Sequence, residues 1–155
     1  MRKLFKGINK CSAWDMKVLV VDDDPVEAEL AVLAFEKQQA GVHRVIPVGD
    51  GVAALAYLCE AKLNAGLPDL ILLDLHMPRM GGIAVLTELK DDSTLRQIPV
   101  IVFTNSNSNT DIEHVYRHNG NCYVVKPEDM QGMNQFVESL LRFWGQRVIY
   151  SPALK

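Results

Sequence analysis

Four short runs, 17–22 (KVLVVD), 69–74 (DLILLD), 98–104 (IPVIVFT) and 122–126 (CYVVK), are almost continuously apolar and rich in β-branched residues. A strand with one solvated face alternates apolar and polar side chains, so unbroken runs of this kind belong to strands buried on both faces, as in parallel sheets covered by helices. A weaker run, 43–48 (HRVIPV), supplies a fifth strand. Between the runs, segments 25–39, 51–64, 82–90, 111–119 and 128–144 carry helical periodicity, so strand and helix alternate throughout. The pattern predicts an α/β chain with one parallel sheet between two helical layers.

Local signals agree with that division. Asp24, Pro25 and Glu27 supply an N-cap, a first-turn proline and a capping-box acid for the first helix, and Asp50 and Thr110 are further caps. Gly41, Gly66 and Gly120 stand where helices should end in a left-handed residue. In the last helix Met130, Met133, Phe136, Val137, Leu140, Leu141, Phe143 and Trp144 make a stripe wider than a core contact requires. Part of it is expected to meet a partner; the alternative is that Met133, Val137, Leu140 and Trp144 are core and the tail shields the rest.

A chain of 155 residues suits one domain, here 16–145 with an N-terminal extension 1–15 and a tail 146–155. The net charge of −3 argues against direct DNA binding, which calls for a concentrated basic surface. No apolar run approaches the roughly 20 residues of a membrane span, and the first residues lack a secretion-signal core, so a cytoplasmic location is expected. Cys11, Cys59 and Cys122, odd in number and widely spaced, read as reduced thiols. His114 and His118 lie four apart without a third ligand and read as a solvent-facing or capping pair, and the basic, partly apolar segment 1–10 reads as a frayed tail or docking turn.

Four of the five strands finish on a polar residue with chemistry to offer: Asp22 with Asp23 and Asp24, Asp74, Thr104 and Lys126. In an open parallel sheet the carboxyl ends of the strands share one edge, where ligands of such folds bind, so these residues should converge. Carboxylates of Asp22, Asp23 and Asp74 placed together repel unless a cation compensates them, and an all-oxygen set suits Mg2+. Lys126 and Thr104 then offer a positive charge and a hydroxyl to an anionic group such as a phosphoryl. Asp74, on the central run, is the natural nucleophile to form an acyl phosphate.

The sequences VLVVDDDP, LILLDLHMPRMGG, VIVFT and YVVKP, in that order and at those intervals, resemble the receiver domain of two-component response regulators over residues 17 to about 144. The resemblance implies a flavodoxin-like (βα)5 fold with strand order 2-1-3-4-5. It makes Asp74 the phosphoacceptor for a histidine kinase, Asp22 and Asp23 the acidic pair at Mg2+, and His76 the donor of a backbone carbonyl to the metal. It further implies that Thr104 and Tyr123 form the switch, that Lys126 engages the phosphoryl, and that Lys126–Pro127 is a cis peptide. The protein would be a phosphoacceptor switch rather than a turnover enzyme, its output a change in binding to a downstream protein effector.

The segment CEAKLNAGLPDLILLDLHMP, the NCYVVKP strand and the RFW ending resemble a narrower group, stand-alone regulators paired with phytochrome-type kinases, which implies a homodimer through the last helix and last strand. Asn105 stands where the family has a small residue, and with His76 and Ser106 it borders the approach of water to the phosphoryl group. Two other functions compete. An aspartate-nucleophile phosphohydrolase would carry D-x-D, but residue 76 is His. A flavodoxin-type FMN module would place hydroxyls and amides where three carboxylates stand, and a receiver-like module without phosphorylation would have no use for Asp74, Thr104 and Lys126 together.

Overall fold

The computed structural model describes residues 16–38 and 44–151. Five strands, β1 (Lys17–Val21), β2 (Arg44–Val48), β3 (Leu70–Leu73), β4 (Val100–Thr104) and β5 (Cys122–Val125), alternate with five helices, α1 (Pro25–Glu36), α2 (Gly51–Leu63), α3 (Gly82–Asp91), α4 (Asn109–Arg117) and α5 (Met130–Leu140). All strand pairings are parallel and the sheet order is β2-β1-β3-β4-β5. The three central strands are buried along nearly their whole length, which is why their sequences do not alternate.

Two apolar clusters sandwich the sheet. Leu19, Ile71, Leu73, Val100 and Val102 face α2 and α3 through Leu58, Val85, Leu86 and Leu89. On the other side Val18, Val20, Leu72, Ile101 and Phe103 meet α1 and α5 through Ala34, Phe35, Met133 and Val137. Alternate residues of one strand thus feed opposite clusters, as the two-residue pleat dictates.

Most expected helix boundaries agree within two or three residues, and the departures have local causes. Asp24 caps α1 through the amides of Val26 (2.8 Å) and Glu27, and Asp50 caps α2 through Ala53 (2.8 Å). Helix α4 begins after Ser108, whose side chain makes no capping bond, so Thr110 lies inside the helix and is no cap. Gly66 and Gly120 do not hold the left-handed positions: Ala65 (φ 52°) and Asn119 (φ 62°) do. Each glycine is the next residue, and its amide closes the helix on the carbonyl five residues back, Ala61 (2.8 Å) or Val115 (2.9 Å). At Gly120 a side chain is excluded because a Cβ would sit 2.5 Å from Val115.

The wide stripe of the last helix is mostly core. Met133, Val137, Leu140 and Leu141 are buried, and Phe136 stacks on Phe103 with ring centroids 4.6 Å apart. The helix loosens into a π-type turn at Leu141–Gly145, which adds a residue per turn and leaves Phe143 more than half exposed. Trp144 is partly shielded by the tail, where the Tyr150 hydroxyl donates to its carbonyl (2.9 Å). Cys59 and Cys122 are free thiols, and the His118 ring contacts the His114 carbonyl (2.7 Å), a helix-end contact rather than a metal pair. The extension 1–15 with Cys11, the segment around Gly41 and the end of the tail lie outside the described residues. No described helix is long and apolar enough to cross a membrane.

Candidate functional site

Sheet register explains how residues from distant parts of the chain reach one place. Val21 pairs with Leu73, so the next residues, Asp22 and Asp74, leave adjacent strands side by side, with the Asp74 amide still donating to Val21 (2.9 Å). Thr104 pairs with Val125, and Lys126 follows with its amide bonded to the Thr104 carbonyl (2.9 Å). Backbone ladders therefore hold all four residues at the carboxyl edge of the sheet. Asp22, Asp74, Thr104 and Lys126 are also the buried polar residues among the described residues, each under a tenth exposed. Buried polar groups without a packing role are costly unless partnered, so their concentration at one edge marks a site.

Lys126 is the electrostatic centre. Its ammonium donates to Asp22 Oδ2 at 2.7 Å, also donates to Glu27 Oε2, and stands 3.8 Å from Asp74 Oδ1. Burial disfavours its charge, but the hydrogen bonds to Asp22 and Glu27 outweigh that and hold the amine above its ordinary range. Burial pushes the Asp22 carboxyl up, with the charge of Asp74 adding to it and Lys126 opposing. Asp74 Oδ1 accepts from the Leu75 amide at 2.8 Å, which fixes the carboxylate against its own turn. Behind that turn any side chain at Gly82 would force the backbone to shift, because a Cβ there would lie 2.2 Å from the Asp74 carbonyl oxygen.

Carboxylate oxygens of Asp22, Asp23 and Asp74 all lie within 4.8 Å of one another, two buried and one exposed. This set fits a hard divalent cation: oxygen donors only, few enough to leave positions to water, in a pocket with excess negative charge. Asp24 is not part of it; its carboxylate caps α1. The acids line a cavity of about 250 Å³ with Glu27, His76, Thr104 and Asn105 at its walls.

Of the remaining predicted residues, Thr104 and His76 line that cavity and Tyr123 stands outside it. Thr104 Oγ1 is approached by the Ser106 amide at 3.4 Å, and the Tyr123 hydroxyl donates to the Ser106 carbonyl at 2.9 Å, so both bear on the loop between β4 and α4. The Tyr123 ring packs partly buried against the core, and burial raises its phenol above the ordinary value. The His76 imidazole reaches Asp111 at 3.0 Å, whose carboxylate also accepts from the Ser106 hydroxyl at 2.6 Å. Those two hydrogen bonds, Ser106 first, hold the Asp111 carboxyl below its usual range. The resemblance implied a cis Lys126–Pro127 bond, but no described peptide is cis. Trans is the intrinsically favoured form by about 0.5–1 kcal/mol before proline.

Sequence reasoning missed one residue here. Glu27 sits where a capping-box acid would, three residues after the cap, but it does not bond back to Asp24; the Asp24 amide is taken by Asp22 Oδ1 at 3.0 Å. Instead one Glu27 oxygen holds Lys126 and the other accepts from Asn105 Nδ2 at 2.8 Å. Burial opposes the Glu27 charge, yet those hydrogen bonds hold its carboxyl below the ordinary value. Spacing alone could not separate the two roles, since the helix start is the same for both.

A buried lysine among strand-end acids, with a hydroxyl on the neighbouring strand, defines a class of phosphoryl-accepting α/β switch. Residues 18–138 match the response regulator receiver domain model, and the chain belongs to that family. It is 34% identical over 138 residues to response regulator Rcp1 of Synechocystis sp., covering 88% of this chain and 93% of the relative. It is 36% identical over 131 residues to a probable methanogenesis regulatory protein, FilR2, of Methanothrix harundinacea, covering 82% of each. Among solved structures, the phosphorylated cyanobacterial phytochrome response regulator RcpA superposes with a TM-score of 0.81 at 36% identity, over 88% of this chain and 99% of that one. The Mn(2+)-bound form of Rcp1 gives 0.78 at 31% identity, over 88% and 99%.

Proposed function

We propose that Asp74 accepts a phosphoryl group from a sensor histidine kinase while Asp22, Asp23, Asp74 and the His76 backbone carbonyl hold Mg2+. The single observation that carries this is the placement of Lys126, buried between Asp22 and Asp74 and within one strand of Thr104. In the transfer an Asp74 carboxylate oxygen forms a bond to phosphorus as the phosphorus–nitrogen bond of the donor phosphohistidine breaks. Lys126 moves from the acids to the new anionic oxygens, and the Thr104 hydroxyl donates to one of them. Mg2+, when bound, screens the carboxylates and supplies charge stabilisation to the transferring group. The displaced Thr104 draws on the loop that also carries Ser106, and Tyr123, bonded to the Ser106 carbonyl, transmits the change to β5 and α4.

The relatives named for phytochrome signalling support a phytochrome-type kinase as donor; a cytoplasmic location and a receiver domain bounded at residues 16 and 145 belong to the same reading. Exposed Tyr116, Val125 and Phe143 come from α4, β5 and the end of α5, and they support a homodimer or a protein effector on the surface of the last strand and last helix. The test is the mass of the protein after acetyl phosphate and Mg2+, beside Asp74→Asn, with gel filtration in parallel. One labile phosphoryl adduct lost in the variant is expected, with an earlier elution if phosphorylation drives dimerisation. Repeated turnover of a chromogenic phosphomonoester would favour a phosphohydrolase instead, and no adduct together with no binding of beryllofluoride would overturn the switch.

A further inference from the structure

The bridge between Glu27 and Asn105 lies in the wall of the phosphoacceptor cavity, joining the start of α1 to the loop after β4. Its carboxylate is bidentate in function: one oxygen on Lys126, the other on Asn105. Asn105 lines the cavity that an anionic group on Asp74 would occupy, and the Lys126 ammonium lies behind it within 3.8 Å of Asp74 Oδ1. Lys126 does not hydrogen-bond Asp74 itself, from which it stands 3.8 Å away, while it does bond Glu27 and Asp22. Asp22 is buried and anchored by the Asp24 amide, whereas the Glu27 side chain is 30% exposed and borders solvent.

We propose that Glu27 is a positioning residue that stands in for the phosphoryl group in the resting protein, competing for Lys126 and closing the cavity through Asn105. This rests on Asp74 as the phosphoacceptor. Phosphorylation brings anionic oxygens that must take Lys126 from Glu27, and the released carboxylate then turns outward to avoid like charge. Glu27 therefore opposes phosphorylation in two ways: it holds back Lys126, the buried cation among the described residues, and it adds a negative charge to the wall of the cavity that an anionic donor must approach. Asn105, whose side-chain amide donates to Glu27 at 2.8 Å, serves as the second anchor that keeps Glu27 inward. An ion pair of purely structural value would behave differently, because losing it could only impair the site.

The experiment compares the wild type with Glu27→Gln, Glu27→Ala and Asn105→Ala at saturating Mg2+, following adduct formation from acetyl phosphate by mass and beryllofluoride affinity by titration calorimetry. Neutralising one partly screened charge near the site is expected to speed phosphorylation and tighten beryllofluoride binding about three- to tenfold. Asn105→Ala should shift both in the same direction by less, since it removes only one anchor. A slower or unchanged rate and affinity in folded Glu27→Gln and Glu27→Ala overturns the proposal, as does an Asn105→Ala change of opposite sign in beryllofluoride affinity. If the wild type takes no phosphoryl group and binds no beryllofluoride, the Asp74 reading has failed and the proposal falls with it; a wild type that is phosphorylated normally isolates the test to Glu27.

Discussion

Replacing Lys126 with Met keeps most of the buried stem and removes only the ammonium. The Lys126 side chain is 3% exposed and that of Asp22 is 5%, so the substitution strands a carboxylate that keeps a single backbone donor, the Asp24 amide. Asp74 loses a cation 3.8 Å away. One unit-charge pair near 4 Å is worth about 4 kcal/mol at an effective dielectric constant of about 20, and removing one member of a buried pair costs about 3–5 kcal/mol. Glu27 relaxes into solvent, so we expect a loss near the lower figure, about 3 kcal/mol, or roughly 6–12 °C in Tm for a chain of this size.

The assay is urea unfolding in EDTA and again with Mg2+. A cation bound only by the folded chain at a concentration about 100 times its Kd adds about 2.7 kcal/mol, so Mg2+ should bring the variant close to the stability of the wild type in EDTA, and narrow the gap between the two proteins only as far as the variant binds it more tightly. The pH dependence has a definite sign. The Asp22 carboxyl is raised in the folded protein by burial, and more so without Lys126, so its charge destabilises the variant above the folded value and that penalty is relieved as the pH falls through it. A Lys126→Met protein within about 0.5 kcal/mol of wild type in EDTA would refute the claim that this ammonium neutralises the buried acids.

Three smaller tests probe other parts of the argument. In Gly82→Ala the new Cβ would meet the Asp74 carbonyl oxygen at 2.2 Å and Leu75 Cα at 2.8 Å, both backbone, so a loss of about 1–3 kcal/mol and slower phosphorylation are expected; an unchanged Tm would refute the close approach. Ala65→Gly should relieve a left-handed residue (φ 52°) and stabilise by about 0.5 kcal/mol after the entropy of glycine is deducted, read as a higher urea midpoint. Asp92 bonds Lys62 at 2.8 Å and the amides of Leu95 and Thr94, which lower its carboxyl to about 2. Its stabilisation is present above pH 3.8, the ordinary value, and is lost as the pH falls toward about 2, so the wild-type advantage over Asp92→Asn in urea midpoint should vanish across that window.

The buried strands announced themselves because they lie between two helical layers: Leu70–Leu73 and Val100–Thr104 have no solvated face and hence no polar alternation. The end of α5 was less legible. An apolar stripe looks the same whether it meets core or partner, and the π-type turn exposes Phe143 while Leu141 joins the cluster that holds Phe103 and against which Trp144 and Tyr150 pack. The two helix ends were misread by one residue for a related reason. Glycine was expected to take the left-handed position, but Asn119 does so at α4, and Gly120 is required by the nearness of Val115, a contact between side chain and backbone that composition does not reveal.

Asp22, Asp74, Thr104 and Lys126 could be picked out from sequence because each follows or ends an apolar run, and a parallel sheet brings such ends to one edge whatever the surrounding detail. Their partnership could not. Which carboxylate holds Lys126, whether Glu27 caps α1 or turns into the site, and where the His76 imidazole lands are choices between local hydrogen bonds of similar strength. Only the packed chain decides them, because it brings Glu27, Asn105 and Lys126 within reach from positions 78 and 99 residues apart along the sequence. Periodicity and strand-end chemistry are local and survive in one dimension, whereas the competition for a single buried cation exists only after burial has removed water as the alternative partner.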